Sequence, residues 1–211
     1  DVVWTKDESP YLVTGDVTIS SGRSLTIKEG VKVIFLANSD DTEGGEEKYD
    51  SELLVEGTIS VLGTADEPVI FTSSEATPSK GDWGGIRLRK NGIFEHMILE
   101  YGAYGIYYLY NWQGNRGDKF TLKNSKIRHI GGKAVNLRTP QEMSIVLEDN
   151  EIKGVDGASI DMESGGQKSS VIMKRNKISG NNGGQVHFSH MGSVIFEGNE
   201  VKSNGQGIFY V

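Results

Sequence analysis

The chain has 211 residues and a net charge of −7, which argues against a nucleic-acid-binding surface, since such a surface needs clustered positive charge. It contains no cysteine, which excludes disulfides and thiol chemistry, and no apolar run approaches the length of a membrane span. Glycine accounts for 28 residues and proline for 4, as expected of a single domain with many tight corners.

The first half of the chain contains short β-branched runs separated by glycine-containing turns, a pattern that predicts strands rather than helices. These runs lie at 17–19, 25–27, 31–35, 53–63, 69–72 and 84–88. Insertions interrupt the pattern at 38–51, 73–82 and 107–119. In repetitive β structures such insertions become loops on one face or edge, where binding residues concentrate.

The insertion 38–51 is strongly acidic and carries the hard oxygen ligands that Ca²⁺ prefers. Its spacing does not match an EF-hand loop, which needs one glycine at position six and a glutamate at position twelve. Two interpretations stay open, a calcium site and a flexible, solvated acidic loop. Calcium is the one cofactor that the sequence suggests. Its candidate ligands are Asp40, Asp41, Glu43, Glu46 and Glu47.

Six aromatic residues lie between Tyr101 and Trp112, beside the third insertion. Tyrosine and tryptophan present flat faces to sugar rings and keep a polar tip for hydroxyl groups. Tyr108 and Tyr110 should share one strand face, with Tyr107 on the other. The hypothesis is a sugar-stacking platform; the alternative is that one set packs in the core and the other covers the insertion. The candidate ligand-binding residues are Tyr108, Tyr110, Trp112, Arg116 and Asp118.

The second half of the chain repeats one pattern four times, a short β-branched strand followed by a turn and a closing isoleucine or valine. The copies lie at 120–127, 146–152, 172–178 and 195–201, and their closing residues are 25, 26 and 23 residues apart. A period of this size is typical of a solenoid. Because each repeat consists of strands and turns, we predict a parallel β-helix with one coil per repeat and roughly eight coils.

Alignment of the four repeats yields two columns in which charge alternates at every coil, as expected for a parallel stack with about 4.8 Å between equivalent residues. The two columns are Lys123, Glu148, Lys174 and Glu197, with Glu95 above them, and Lys126, Glu151, Lys177 and Glu200. A third column should hydrogen-bond to the turn backbone. It comprises Ser125, Asn150, Asn176 and Asn199. The predicted inward column is Leu122, Leu147, Met173 and Phe196.

Four motifs in the first half carry a family resemblance. They are Leu-Thr-Ile-x-x-Gly-Val at 25–31, Leu-x-Val-x-Gly-Thr at 53–58, Gly-Thr-x-x-x-Pro-Val-Ile-Phe-Thr at 63–72 and Gly-Asp-Trp-Gly-Gly-Ile at 81–86. Their order resembles the right-handed parallel β-helix repeat proteins of the pectin-lyase-like superfamily. The resemblance implies an all-β, right-handed solenoid over residues 1–211 and a microbial protein at an extracellular or cell-surface location. Since the chain starts at Asp1, we expect a module excised from a longer secreted or surface protein.

The same resemblance implies what an enzyme of the superfamily would need. Its lyases carry acidic calcium ligands with an arginine or lysine base, and its hydrolases carry three aspartates with His-Gly and Arg-x-Lys motifs. This chain lacks the hydrolase motifs, and His187 and His190 should face opposite sides of a strand. We assign no catalytic residue. The nearest candidates are Asp156, interpreted as a turn residue, and Asp161 and Glu163, on the same side of one strand.

The sequence therefore favours a non-catalytic module for surface adhesion or polysaccharide binding. Its expected partner is a polysaccharide or cell-surface glycan, without nucleic acid or a membrane span, and the chain is expected to be a monomer. The alternative is a carbohydrate-active enzyme, either a polysaccharide lyase or a glycoside hydrolase.

Overall fold

The computed structural model describes residues 1–108, 117–139, 142–165, 168–184, 186–202 and 209–210. These residues form three parallel sheets of eight strands each, together with a short 3-10 helix at Lys6–Glu8. Successive strands enter sheets A, B and C in turn, so three strands complete one coil and eight coils stack in register. The prediction of a right-handed parallel β-helix of roughly eight coils is confirmed.

The strands are short and are numbered in chain order. Sheet A comprises β1 (Val2–Trp4), β4 (Ser24–Lys28), β7 (Thr58–Leu62), β10 (Gly92–Glu95), β13 (Asp118–Lys123), β16 (Met143–Glu148), β19 (Ser170–Lys174) and β22 (Ser193–Glu197). Sheet B comprises β2 (Tyr11–Val13), β5 (Lys32–Phe35), β8 (Val69–Ser73), β11 (Met97–Glu100), β14 (Lys126–Ile130), β17 (Glu151–Val155), β20 (Lys177–Ser179) and β23 (Glu200–Lys202). Sheet C comprises β3 (Val17–Ile19), β6 (Glu52–Val55), β9 (Gly85–Leu88), β12 (Ile106–Tyr108), β15 (Val135–Thr139), β18 (Ile160–Ser164), β21 (Val186–Ser189) and β24 (Phe209–Tyr210).

The core is a narrow stack of side chains from alternate strand positions, because successive residues of a strand point to opposite faces. Leu122, Leu147 and Met173 are aligned across neighbouring strands and fully buried. Phe196 continues their column in register but is only partly buried. The predicted inward column is therefore confirmed in register, and its last member is more exposed than expected.

Both predicted charge columns have the register that the sequence indicates. Glu148 and Lys174 are Cα partners on neighbouring strands, and the second column aligns in the same way on sheet B. In sheet A the alternating charges form ion pairs of 3.0 Å for Lys123–Glu148 and 2.8 Å for Lys174–Glu197. Exposed pairs of this kind contribute little stability, so their value is in fixing the register.

The corner between sheets A and B contains the predicted asparagine ladder. The side-chain amide of Asn150 donates to the carbonyl of Leu122 at 2.8 Å and to Oδ1 of Asn176 at 2.9 Å. Asn176 donates in turn to the carbonyl of Leu147 and to Oδ1 of Asn199. The side chain of each asparagine thus forms hydrogen bonds with backbone groups of a tight corner, where no strand pairing is available to them.

The corner between sheets B and C holds two long connections in the first half, residues 36–51 and 74–84, and bare glycine turns in the second half. A Cβ on Gly157 would lie 2.7 Å from the backbone of Gly132, and one on Gly183 would lie 2.4 Å from the backbone of Gly157. Stacking this close requires glycine. The segment 109–116, which joins sheet C to sheet A, lies outside the described residues. Within the described residues, the long connections therefore lie at the start of strands β6 and β9 of sheet C.

Aromatic stacking fastens the second connection to the core. The rings of Phe35 and Trp83 stack with centroids 3.9 Å apart, and both are fully buried. The indole N–H of Trp83 donates to the carbonyl of Glu100 at 2.9 Å. In the described part of the chain, no helix is long and apolar enough to cross a membrane.

Candidate functional site

The outer face of sheet C carries a straight row of polar and aromatic side chains. In five of its strands, an outward residue lies between two buried apolar residues, as Tyr107 does between Ile106 and Tyr108. Strand pairing aligns these outward residues coil after coil. We call this row the C column, and it comprises Arg87, Tyr107, Asn136, Asp161 and His187.

Arg87 occupies the upper end of the C column and is almost fully buried. Its Nε donates to Glu52 Oε1 at 2.5 Å, and its Nη2 lies 3.1 Å from Glu47 Oε1. The second oxygen of Glu52, which is fully buried, accepts from the backbone amides of Glu46 and Glu47 at 2.6 and 3.0 Å. Arg87 therefore fastens the acidic connection 36–51 onto the face of sheet C.

Two tyrosine rings lie directly below this ion pair. The rings of Tyr104 and Tyr107 meet edge to face with centroids 4.8 Å apart, and each lies 4.8 Å from the guanidinium of Arg87. Both side chains are half-buried, and Tyr104 packs over the corner at Gly132. These are the aromatic faces that sheet C offers to solvent in this part of the molecule.

Asn136 lies one coil below Tyr107 and is 6% exposed. Burial raises the pKa of the Tyr107 hydroxyl, and a hydrogen bond from the Asn136 side chain partly offsets that rise. Oδ1 of Asn136 is buried and has no hydrogen-bond partner among the residues that the structure describes. A buried acceptor without a donor is costly, so a donor that reached it would gain a full hydrogen bond.

Asp161 is the centre of the lower part of the C column. One carboxylate oxygen lies 2.6 Å from Nδ1 of His187, and the other forms an ion pair with Nζ of Lys133. Burial raises the pKa of Asp161, but the hydrogen bonds from Lys133 and His187 outweigh it and hold the pKa below its ordinary value. The carboxylate of Asp161 therefore contacts both the imidazole of His187 and the ammonium of Lys133, and these contacts favour its ionised form.

Of the three nearest catalytic candidates, only Asp161 lies in the C column. Glu163 shares its strand face, as predicted, and lies 3.8 Å from Arg138. Asp156 lies in the turn after β17, where Lys80 forms a 2.6 Å ion pair with it and Asn182 donates to it at 2.8 Å. The hydrogen bond from Lys80 lowers the pKa of Asp156. The turn interpretation of Asp156 agrees with this position.

The predicted sugar platform is wrong for the two members that the structure describes. Tyr108 is 3% exposed, and its hydroxyl donates to buried Asp118 Oδ2 at 2.5 Å, so neither residue presents a face to solvent. Burial of the ring, followed by the hydrogen bond to Asp118, raises the pKa of Tyr108. The physical reason is strand phase, since β12 points Tyr108 inward and Tyr107 outward. The remaining candidates, Tyr110, Trp112 and Arg116, lie outside the described residues.

The predicted calcium ligands make separate contacts instead of converging. Asp40 accepts from the amide and hydroxyl of Thr42 and from the Gly44 amide, closing its own turn. Asp41 accepts from the Thr14 hydroxyl at 2.8 Å. The structure places Glu43 on the exposed outside of the connection, Glu46 3.7 Å from Arg89 and Glu47 beside Arg87.

The structure bears differently on the two interpretations of the acidic insertion. Within the described ranges, no three histidine, aspartate or glutamate side chains come together as a group that could hold a metal ion. This corrects the expectation that Asp40, Asp41, Glu43, Glu46 and Glu47 surround one cation. The connection is solvent-exposed over residues 41–46, as the alternative interpretation expects, and Arg89 and Arg87 pair with Glu46 and Glu47.

Sequence reasoning missed Tyr104, Lys133, Asn136 and His187 as members of one surface. A signal for four of the C-column positions exists in the sequence, in the triplets with apolar or aromatic ends at 106–108, 135–137, 160–162 and 186–188. The central residues of these triplets are 29, 25 and 26 residues apart, close to the period of the other repeats. Alignment of the triplets would have placed Tyr107 rather than Tyr108 on the outer face.

Comparison with known protein families divides the chain between two models. A pectate-lyase-like β-helix domain matches residues 1–95, and a right-handed β-helix region matches residues 104–211. No curated protein and no solved structure matches the chain. The two matches lie on either side of residues 96–103 and leave the chemistry of the C column unassigned.

Proposed function

The chain belongs to the right-handed β-helix family, and we propose that it is a non-catalytic, extracellular or cell-surface module that binds polysaccharide on the outer face of sheet C. The observation that carries the proposal is the C column. Over successive coils it aligns a half-exposed tyrosine, a side-chain amide with an unpartnered acceptor and a carboxylate–imidazole pair. These residue types provide stacking faces and hydrogen-bonding groups for sugars.

The geometry of the column favours a chain of sugars over a single sugar. Coils stack about 4.8 Å apart, so a linear polymer parallel to the solenoid axis would meet a new outward residue at every coil. The residues of the C column form a row along the outer face of the sheet, and a small pocket beside Arg87 is also lined by Gly45, Glu46 and Arg89. Binding would then be a sum of small contacts and would strengthen with polymer length.

The charges along this face favour binding over turnover. Arg87 is saturated by Glu52 and Glu47, and Lys133 is paired with Asp161. A general acid for glycoside hydrolysis needs a raised pKa, whereas the pKa of Asp161 is lowered. The charged side chains of this face therefore neutralise one another within the protein.

One observation favours the alternative, a carbohydrate-active enzyme of the same superfamily. Asp161 holds Nδ1 of His187 at 2.6 Å, which is how a carboxylate orients an imidazole for general-base catalysis. A lyase or hydrolase using this pair would depend on both residues. Its activity would be lost in Asp161→Asn and in His187→Gln.

Binding is tested by affinity electrophoresis in gels that contain a panel of polysaccharides, including soluble derivatives of insoluble ones. Tyr107→Ala and Asn136→Ala are compared with wild type. We expect wild type to be retarded by at least one polysaccharide and both variants to lose most of that retardation. Tyr11→Ala is the matched control, because Tyr11 is also a half-buried, ring-stacked tyrosine, 4.6 Å from Trp4, but lies on sheet B. Equal loss in the Tyr11 variant, or no retardation of wild type on any polysaccharide, would overturn the proposal.

The same panel separates the two functions. Each polysaccharide is incubated with wild type and assayed for new reducing ends and for unsaturated products. Absence of both, with retained binding, supports the non-catalytic module. Product that forms with wild type and disappears in Asp161→Asn supports the enzyme instead.

A further inference from the structure

The outer face of sheet B departs from the charge alternation that organises the other columns. Its first outward column, Lys126 to Glu200, alternates as predicted. Its second outward column begins at Glu100 and contains no acid below it. We call the positive members of this second column the basic column, and they are Arg128, Lys153 and Lys202.

Like charges are neighbours within the basic column. Arg128 and Lys153 are Cα partners on adjacent parallel strands, an arrangement that costs stability when both side chains are charged. Every equivalent step in the alternating columns places opposite charges together. A local departure from a rule that the rest of the molecule follows is typical of a surface kept for function.

Each cation of the basic column pairs with one glutamate, but the whole face carries more cations than acids. Arg128 pairs with Glu100 at 2.6 Å, Lys153 with Glu151 at 2.8 Å, and Lys202 with Glu200. Lys126 and Lys177 lie on the same face, are exposed and form no ion pair with another described residue. The face from β11 to β23 thus presents five cations against three glutamates.

This excess of positive charge is local. The chain as a whole carries −7, and residues 38–52 alone hold seven acids and one lysine. That acidic segment belongs to the corner between sheets B and C in the first coils, away from strands β14 to β23. Negative and positive charge are therefore separated along the solenoid, and screening confines each potential to about 10 Å.

We propose that the outer face of sheet B in the last four coils binds a linear anionic polysaccharide, with its acidic groups against the basic column. The cations lie on one straight line, and Arg128 and Lys202 are three coils or about 14 Å apart, which suits a polymer parallel to the axis. Apart from His129, which stacks on Tyr101, the described part of this face below β11 exposes no aromatic or large apolar side chain, so it is suited to pair with charge rather than to enter a lipid layer.

This surface is independent of the C column because it lies on another sheet. A module with both surfaces would hold a stacked glycan on one side and an acidic glycan on the other, and so would join two polymers. The negative charge of the rest of the chain opposes nucleic acid, whose phosphate density exceeds what one narrow column can neutralise.

The test measures retardation in native gels that contain alginate, polygalacturonate or uncharged dextran at low ionic strength. The variant Arg128→Gln/Lys153→Gln removes two cations from the basic column. Its matched control, Lys123→Gln/Lys174→Gln, removes two cations from an alternating column of sheet A, so the change in net charge is identical. We expect the first variant to weaken alginate binding about tenfold, up to fivefold for each exposed charge, and the control to stay within about twofold of wild type.

Two further arms complete the test. Wild-type binding should weaken steeply as salt is raised, and Tyr107→Ala should bind alginate as wild type does. If both double variants lost alginate binding equally, net charge alone would explain the loss, and the proposal would be overturned. So would absence of retardation by both acidic polymers, or tighter binding to phosphatidylserine vesicles or duplex DNA than to either polymer.

Discussion

At the scale of single residues, the partly buried carboxylate of Asp16 destabilises the site where the acidic connection attaches to the solenoid. One of its carboxylate oxygens accepts from the amide of Glu52 at 2.8 Å, while Oδ2 is buried and has no hydrogen-bond partner in the described part of the chain. The Cβ position of Gly45 lies 2.8 Å from this oxygen and 2.4 Å from Glu52 Oε2, so the two carboxylates approach each other around a glycine. Burial, and then the charges of Asp40 and Glu52, raise the pKa of Asp16.

This raised pKa predicts that Asp16→Asn stabilises the protein at neutral pH. The ionised carboxylate penalises the folded state above its folded pKa, and the penalty disappears as pH falls toward the unfolded value near 4. The variant should therefore gain on the order of 0.5 kcal/mol at pH 7, after allowance for solvent screening, and the gain should shrink at pH 4. Thermal denaturation at both pH values measures this difference.

Asp66→Asn is the control for that measurement, because Asp66 is exposed in another connection. It should change the melting temperature little at either pH. A gain for Asp16→Asn that is independent of pH, or a loss at pH 7, would show that its carboxylate is not penalised by the fold.

At the scale of elements, the asparagine ladder at the corner between sheets A and B should contribute more to the free energy of unfolding than the exposed ion pairs of the sheets. Asn176 donates to the carbonyls of Leu147 and Lys174 at 2.9 and 3.1 Å, and its Oδ1 accepts from the buried amide of Asn150. All these groups are shielded from water, so a missing partner leaves a desolvated donor or acceptor.

We predict that Asn176→Ala destabilises the protein by about 2–4 kcal/mol, because it orphans several buried backbone groups at once. Asn182→Ala should cost about 0.5 kcal/mol, since its hydrogen bond to Asp156 is exposed. Urea denaturation of both variants provides the comparison. Similar losses would mean that the ladder is no stronger than a surface hydrogen bond.

The sequence predicted the elements wherever successive coils repeat chemistry at a fixed interval. Glu148 above Lys174 and Asn150 above Asn176 fixed the register, because stacked charges and amides leave a pattern every 25 residues or so. Tyr108 was misplaced for the opposite reason. In a run of aromatic residues every position is apolar, so alternation cannot reveal which face is inside.

The contacts of the acidic insertion could not be predicted for a different reason. Arg87 lies 40 residues from Glu47 and 35 from Glu52, and nothing in their local sequence indicates that they meet. A dense row of carboxylates resembles a cation site when its counter-charges are unseen. In the fold, Arg87 of sheet C provides those counter-charges. The carboxylates therefore hold the connection against the sheet instead of binding a metal ion.

At the scale of the whole molecule, the solenoid divides its functions between its three faces. The corner between sheets A and B is closed by the asparagine ladder, and sheet A balances its charges in pairs. Sheet C presents the C column, with the connections 36–51 and 74–84 at the start of two of its strands, and sheet B carries the excess positive charge. A rigid rod with different chemistry on each face suits simultaneous contact with extended polymers, which is the common element of both proposed binding surfaces.

Because each coil contacts only its neighbours, stability should depend on a residue's place along the rod. Leu147 is fully buried between Leu122 and Met173, whereas Phe196 is partly buried beyond Met173. We predict that Leu147→Ala costs about 2–5 kcal/mol, and that Phe196→Ala costs about 1–2 kcal/mol despite removing the larger side chain. Urea denaturation measures both, with Leu12→Ala as an exposed apolar control expected to change stability by less than about 0.5 kcal/mol. A larger loss for Phe196→Ala than for Leu147→Ala would mean that the last described coil of sheet A is as closely packed as the centre.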